Sequence, residues 1–325
     1  MTNHNRERLS LKSRRRTARC NNRRTVDGLR RRGYLDGVSG HAPRSRALAE
    51  GSRDGLASAG REARLTRLAW CTDVHFNLVG ASRTADFGRS LAEGSDACLL
   101  TGDIAEADSL VSLLSAFAGA YGKPVYFVLG NHDFYGSSFA KVRAAVTALC
   151  STFPLLNWLG DGRVHQVGTS ELCGVDGWYD AQLGDRDSRL RMSDFDLIAD
   201  LKRIDYHRQL LAKFAELGQE SAVEARETLA RTAGRQVIFA THVPPYKGAT
   251  WHKGKNSEVG WLPFMSNKAL GFVLSEFADS RPNTTLTTLC GHTHSPGRYQ
   301  DRPNHVVLTG KAEYGRPQLT RSFEL

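Results

Sequence analysis

The chain has no apolar run near the roughly 18–20 residues that a membrane-crossing helix needs. Its start is arginine-rich and has no apolar stretch of the kind that drives secretion. It has six cysteines, Cys20, Cys71, Cys98, Cys150, Cys173 and Cys290, and none of them forms a C-x-x-C pair. That spacing excludes a zinc knuckle and argues against a disulfide framework, so reduced thiols and a cytoplasmic protein are expected. Most of the chain also lacks net charge. The formal charge is +10, but residues 1–64 hold 17 Lys+Arg against 6 Asp+Glu, which leaves 27 against 28 for residues 65–325. The basic character therefore belongs to a tail and gives no reason to read the body as a nucleic-acid binder.

Residues 1–64 carry one aromatic, Tyr34, and two arginine triplets, Arg14-Arg15-Arg16 and Arg30-Arg31-Arg32. Such a segment buries too little apolar surface to offset the entropy of ordering it, so disorder is expected. Three readings stay open: an inert or over-extended start, with Leu65 as an internal start; an arm for nucleic acid or a membrane surface; and an organelle-targeting segment.

The body, 65–325, alternates apolar strands with helices and reads as a single α/β domain. Leu68 to Val74, Ala97 to Leu100, Pro124 to Leu129, Val237 to Ala240 and Thr285 to Leu289 are strands. Leu110, Val111, Leu113, Leu114, Phe117, Ala118 and Tyr121 follow helical spacing, and Phe139 to Cys150 and Lys268 to Ala278 read as helices. Residues 195–233 read as two helices that cover one side of the domain, and 246–266 as a polar loop with aromatics.

Chemistry-bearing residues follow the strands directly. The strand ends are Asp73-Val-His75, Gly102-Asp103, Gly130-Asn131-His132, His242 and Gly291-His292-Thr-His294, which hold five of the eleven histidines. Ligands gather at the carboxyl ends of strands in α/β sheets. Asp73 and His75, like His292 and His294, are two apart, so on extended backbone each pair points to one face. The oxygens of Asp103 could bridge two cations. Two carboxylates, one amide and four imidazoles without a thiolate favour Mn, Fe, Zn, Co or Ni.

This ordered set, D-x-H, G-D, G-N-H-D, H and G-H-x-H, resembles the calcineurin-like metallophosphoesterase superfamily over about residues 67–310. The resemblance implies a four-layer α/β/β/α sandwich with two central mixed sheets. It implies two divalent or trivalent transition-metal ions, one held by Asp73, His75, Asp103 and His294, the other by Asp103, Asn131, His242 and His292. His132 would then be the catalytic histidine, assisting the leaving group while a metal-bridging hydroxide attacks phosphorus in line. A non-catalytic interaction module on the same fold is an alternative, although no ligand position is empty. A nuclease using the basic tail as an arm is another.

Gly102-Asp103-Ile104-Ala105-Glu106 and Gly130-Asn131-His132-Asp133 depart from the Asp-Arg-Gly and Asn-His-Glu forms of protein Ser/Thr phosphatases in this superfamily. A phosphodiesterase or small-molecule phosphatase with a small or nucleotide-like substrate is expected. Asn77, Arg83, Tyr135, Tyr246, Trp251, His252, Lys253 and Lys255 are candidates for substrate contact. Asp133 either orients a neighbour or sits solvated in a turn.

Overall fold

Alternate residues of the first strand face opposite ways, and this divides the protein into layers. In the computed structural model, which describes residues 65–204 and 207–325, β1 (Arg67–Cys71) turns Leu68 and Trp70 to one core and Ala69 and Cys71 to another. The tail, 1–64, with its expected disorder and its three readings, lies outside the described residues.

The chain continues through α1 (Gly80–Glu93), β2 (Ala97–Thr101), α2 (Ala107–Tyr121), β3 (Val125–Val128), α3 (Phe139–Thr152) and β4 (Leu156–Trp158). Next come β5 (His165–Val167), β6 (Ser170–Gly174), the one-turn helices α4 (Asp194–Leu197) and α5 (Ala199–Lys202), α6 (His207–Leu229) and β7 (Gln236–Ala240). The small strands β8 (Trp251–His252) and β9 (Lys255–Asn256) pair antiparallel. They precede α7 (Leu262–Met265), α8 (Lys268–Ser280), β10 (Thr285–Cys290), β11 (Gly297–Arg302), β12 (His305–Thr309) and β13 (Arg321–Glu324).

Two mixed sheets result. One has the order β13-β1-β2-β3-β4, parallel except for β13; the other has the order β11-β12-β10-β7-β6-β5, with antiparallel edges at β11 and β5. Their inner faces meet through Leu68, Trp70, Leu99 and Val128 on one side and Leu172, Ile238, Leu289 and Leu308 on the other. α1, α2 and α3 cover the first sheet over Cys98, Leu100 and Phe127. α6 and α8 cover the second over Val237, Phe239 and Leu286. This is the expected four-layer sandwich, and its apolar faces are buried as layered α/β architecture requires.

Side chains cap two of the helices. Ser138 caps α3 by accepting the Lys141 N–H at 3.4 Å, and Asn267 caps α8 by accepting the Leu270 N–H at 2.9 Å. α1 buries few large apolar residues: its buried positions are Thr84, Gly88 and Leu91. Residues 195–233 differ from the expected helix pair: α4 and α5 are single turns, and one 23-residue helix, α6, follows. The break coincides with Ile198, whose extended backbone separates the two turns. Cys71, Cys98, Cys150, Cys173 and Cys290 are free thiols.

Candidate metal centre

The parallel strands of both sheets bring their carboxyl ends to one place. β1 leads to Asp73 and His75, β2 to Asp103, and β3 to Asn131 and His132. From the second sheet β7 leads to His242, and β10 to His292 and His294. Backbone hydrogen bonds join these ends. Asp73 N–H donates to Gly102 C=O at 3.1 Å, His75 N–H to Asp103 C=O at 3.0 Å, and Gly291 N–H to His242 C=O at 2.9 Å.

The backbone here is not extended, which corrects the basis on which the paired residues were read. β1 stops at Cys71 and β10 at Cys290. Asp73, His75, Asp103, His292 and His294 have φ of 48°, 41°, 49°, 68° and 55°, making five of the seven positive-φ non-glycine residues among those described. Left-handed turns, not strand alternation, aim these side chains. Each such residue costs about 1–3 kcal/mol, and such outliers cluster where a site needs a fixed geometry. A Cβ on Gly130 would fall on the Asp103 carboxylate, and one on Gly291 would fall on the Thr72 hydroxyl and the Asp73 carboxylate. Glycine at these two places lets the backbone approach the acidic groups.

Asp73, His75, Asp103 and His294 form one cluster. Their donor atoms all lie within 4.8 Å of one another, close enough for one ion to meet them all. His294 Nε2 is 3.2 Å from Asp73 Oδ1, and His75 Nε2 is 3.9 Å from Asp103 Oδ2. Thr72 Oγ1 donates to Asp73 Oδ2 at 2.6 Å. Burial alone would raise the Asp73 pKa, but the His294 hydrogen bond and the surrounding histidines outweigh it and hold it below the carboxylate range. Burial pushes His75 down to about 4, which leaves its imidazole neutral, the form that ligates metals.

A second cluster joins Asp103 to Asn131, His242 and His292, and its hydrogen bonds dictate lone-pair directions. His242 Nδ1 lies 2.9 Å from Thr101 C=O and His292 Nε2 lies 2.9 Å from Phe264 C=O. A carbonyl only accepts, so each of those nitrogens carries a proton and the opposite nitrogen is free. Asn131 donates its amide to Asp194 Oδ1 at 2.8 Å, so its Oδ1 faces the other way. The three acceptor atoms then meet: Asn131 Oδ1 is 3.0 Å from both His242 Nε2 and His292 Nδ1, and those nitrogens are 3.3 Å apart. Lone pairs at such distances repel unless a positive centre lies between them. The residues therefore fit a cation. Burial opposes a charge on His242, but Asp103 and Asp73 outweigh it and raise its pKa, which is the same demand for positive charge. Asp103 serves both clusters, with Oδ2 toward His75 and Oδ1 at 3.4 Å from His242 Nε2.

His132 lies at the open side. Its backbone N–H donates to Asp103 Oδ1 at 2.9 Å, its Nε2 is 3.9 Å from Asp103 Oδ2, and its ring stacks on Tyr135 with centroids 4.3 Å apart. Asp133 is fully buried and accepts N–H groups from Ile104, Ala105 and Gly130, so it clamps the second strand end to the third.

Two residues near the centre gave no signal in the sequence. Asp194 is fully buried and receives Asn131, the Tyr135 hydroxyl at 2.5 Å and the Tyr179 hydroxyl at 2.8 Å. Tyr314 is 56% exposed, and its ring centroid lies 4.6 Å from that of His75 and 4.7 Å from that of His294. Burial, then Asp103 and Asp73, push its phenol up to about 12, so it stays neutral. Aromatic spacing to a motif was the only available clue, and sequence distance hides it.

The expected substrate contacts divide. Tyr135 is buried on Asp194, and the Tyr246 hydroxyl is tied to Gly271 C=O, Ser275 and Asp301, so both are structural. Arg83 is exposed on α1, Asn77 is half-buried in the turn after His75, Trp251 is half-buried and Lys253 is exposed. His252 and Lys255 line a cavity that reaches His292.

Among the described residues no helix is long and apolar enough to cross a membrane. Comparison with curated protein sequences gives no match. The fold is similar to that of Mycobacterium tuberculosis phosphopantetheinyl hydrolase, at 13% identity and a TM-score of 0.55, over 77% of this chain and 90% of that one. A dimetal phosphatase from Danio rerio matches at 14% identity and a TM-score of 0.46, over 78% of this chain and 90% of that one. The sequence profile of the calcineurin-like phosphoesterases matches residues 66–296, and the chain belongs to that family.

Proposed function

We propose that the protein is a metal-dependent phosphoester hydrolase, a phosphodiesterase or small-molecule phosphatase in preference to a protein phosphatase. Asp73, His75, Asp103 and His294 would hold one transition-metal ion, and Asp103, Asn131, His242 and His292 a second. The ions would supply Lewis acidity toward phosphoryl oxygens and water. The carrying observation is the meeting of Asn131 Oδ1, His242 Nε2 and His292 Nδ1 beside a carboxylate whose two oxygens face two clusters.

The chain's own groups do the rest. Thr101 and Phe264 carbonyls hold the tautomers of His242 and His292. Asp194 holds the Asn131 amide. His132, partly open to solvent beside Asp103, would pass a proton to the leaving oxygen. Ile104 and Ala105 are fully buried on Asp133. Glu106, Ala107 and Asp108 stand where a protein phosphatase of this superfamily would have Asp-Arg-Gly, and this departure supports a small substrate.

The test is metal analysis of the purified chain together with hydrolysis of an aryl phosphoester in Mn, Fe, Ni or Zn. The expected result is about two ions per chain and metal-dependent cleavage that His132→Ala abolishes. Fewer than one ion per chain, or full activity in His132→Ala, would overturn the reading.

A further inference from the structure

A cavity of about 320 Å³ opens beside the second cluster. His292 and Thr293, in the turn after β10, form one wall. His252 and Lys255 come from the β8–β9 hairpin, and Glu258, Trp261 and Met265 from the segment leading into α7. We propose that this cavity is the leaving-group subsite of the phosphoesterase and that it takes a nucleoside. The proposal rests on the hydrolase reading and adds the substrate class to it.

Five observations carry it. The cavity shares His292 with the candidate metal centre, so a group seated there adjoins the place where a phosphoryl group would be held. Its volume lies at the small end of ligand sites, about 300–1,000 Å³, which suits one nucleoside and excludes a peptide or an oligonucleotide. Trp261 is 38% exposed and lines the cavity with Met265, offering an indole face and a thioether to a flat ring. Lys255 and Glu258 carry opposite charges, so the lining provides a donor and an acceptor for a base or ribose without a net charge that would draw further phosphates. Thr293 adds a hydroxyl, nine-tenths enclosed, with no hydrogen-bond partner among the described residues.

The test compares adenosine and uridine 5′-monophosphates, and their methyl diesters, with glycerol phosphate on the metal-loaded full chain. The wild type is expected to prefer the nucleoside esters. Trp261→Ala is expected to lower the ratio of kcat/KM for nucleoside ester over glycerol phosphate by about 10–100-fold, the range that loss of one base–aromatic stack implies. Trp261→Phe should restore most of that ratio. Absence of a nucleoside preference in the wild type, or an equal loss on both substrates in Trp261→Ala, overturns the subsite. Calorimetric titration of adenosine into the metal-free chain separates the two readings. If no phosphoester is cleaved but adenosine binds and Trp261→Ala removes the binding, the hydrolase reading fails and the subsite stands. No adenosine binding in the wild type overturns the subsite.

Discussion

The two halves of the candidate metal centre are built differently. The cluster of Asp73, His75, Asp103 and His294 has two carboxylates and lies near solvent, with the His294 side chain 21% exposed. The cluster of Asp103, Asn131, His242 and His292 has one carboxylate and a neutral amide, and its His242 side chain is fully enclosed. The first is shaped by charge and by left-handed turns; in the second, carbonyls and Asp194 also orient His242, His292 and Asn131. A charge-built site attracts ions strongly but leaves an exchange route. A prealigned site selects geometry. The expected consequence is two classes of ion, with the labile one on the His294 side.

Asp103→Asn should have the largest effect, because this side chain alone belongs to both clusters. Activity is expected to fall by about 10³-fold or more, at the upper end of what removing one electrostatic stabiliser does. Metal analysis should show both ions weakened. His294→Ala should empty only the first cluster, and loss of both ions there would break the distinction. Asp194→Asn comes next. It keeps the shape of the side chain but offers an amide to Asn131, Tyr135 and Tyr179. Metal affinity of the second cluster is expected to drop by about 10–100-fold, as for other residues that orient ligands. Calorimetric titration should find the first class of sites unchanged.

The difference between the halves also governs what was readable in the sequence. That Asp73, His75, Asp103, Asn131, His242, His292 and His294 gather in one place was legible, because each follows an apolar strand within a few residues and parallel strands deliver their ends together. The four layers were legible through resemblance, and the strands through their apolar runs. α1 was not, because two of its three buried positions, Thr84 and Gly88, are small or polar and give no apolar run. Asp194 was not, because it opens the single-turn helix α4 and reaches Asn131, 63 residues earlier, only in the folded chain. The left-handed turns were invisible because Asp and His read equally well on a strand, and only the site's demand for convergence makes the strained backbone worthwhile.

Tyr314 tests the exposed side of the first cluster. Its ring covers His75 and His294 while half open to solvent. Tyr314→Ala should speed metal exchange at that cluster by a few-fold, roughly the worth of an aromatic contact of about 0.5–1.5 kcal/mol, and Tyr314→Phe should not. A chelator-chase experiment reads this. An equal change at both clusters would mean that the first has no separate exchange route.

The smallest effect on either cluster should come from Asp301→Asn, which lies in the second sheet outside the centre and supplies the baseline. Asp301 Oδ2 is 3.2 Å from His305 Nδ1 and accepts the hydroxyls of Ser275 at 2.8 Å and Tyr246 at 3.1 Å. Burial raises its pKa, but these hydrogen bonds and the His305 charge outweigh it and hold the carboxyl below 3.8. A depressed pKa means that the carboxylate stabilises the fold above its unfolded value, and that this contribution is lost as pH falls through the lower, folded value. Asp301→Asn should therefore lower Tm at pH 7 by a few degrees, the shift expected from about 1–2 kcal/mol in a domain of this size. The gap to wild type should narrow as the pH falls below about 3.8. Titration of the variant at pH 7 should still resolve two classes of ion. If it does not, global stability rather than local construction sets the contrast between the clusters.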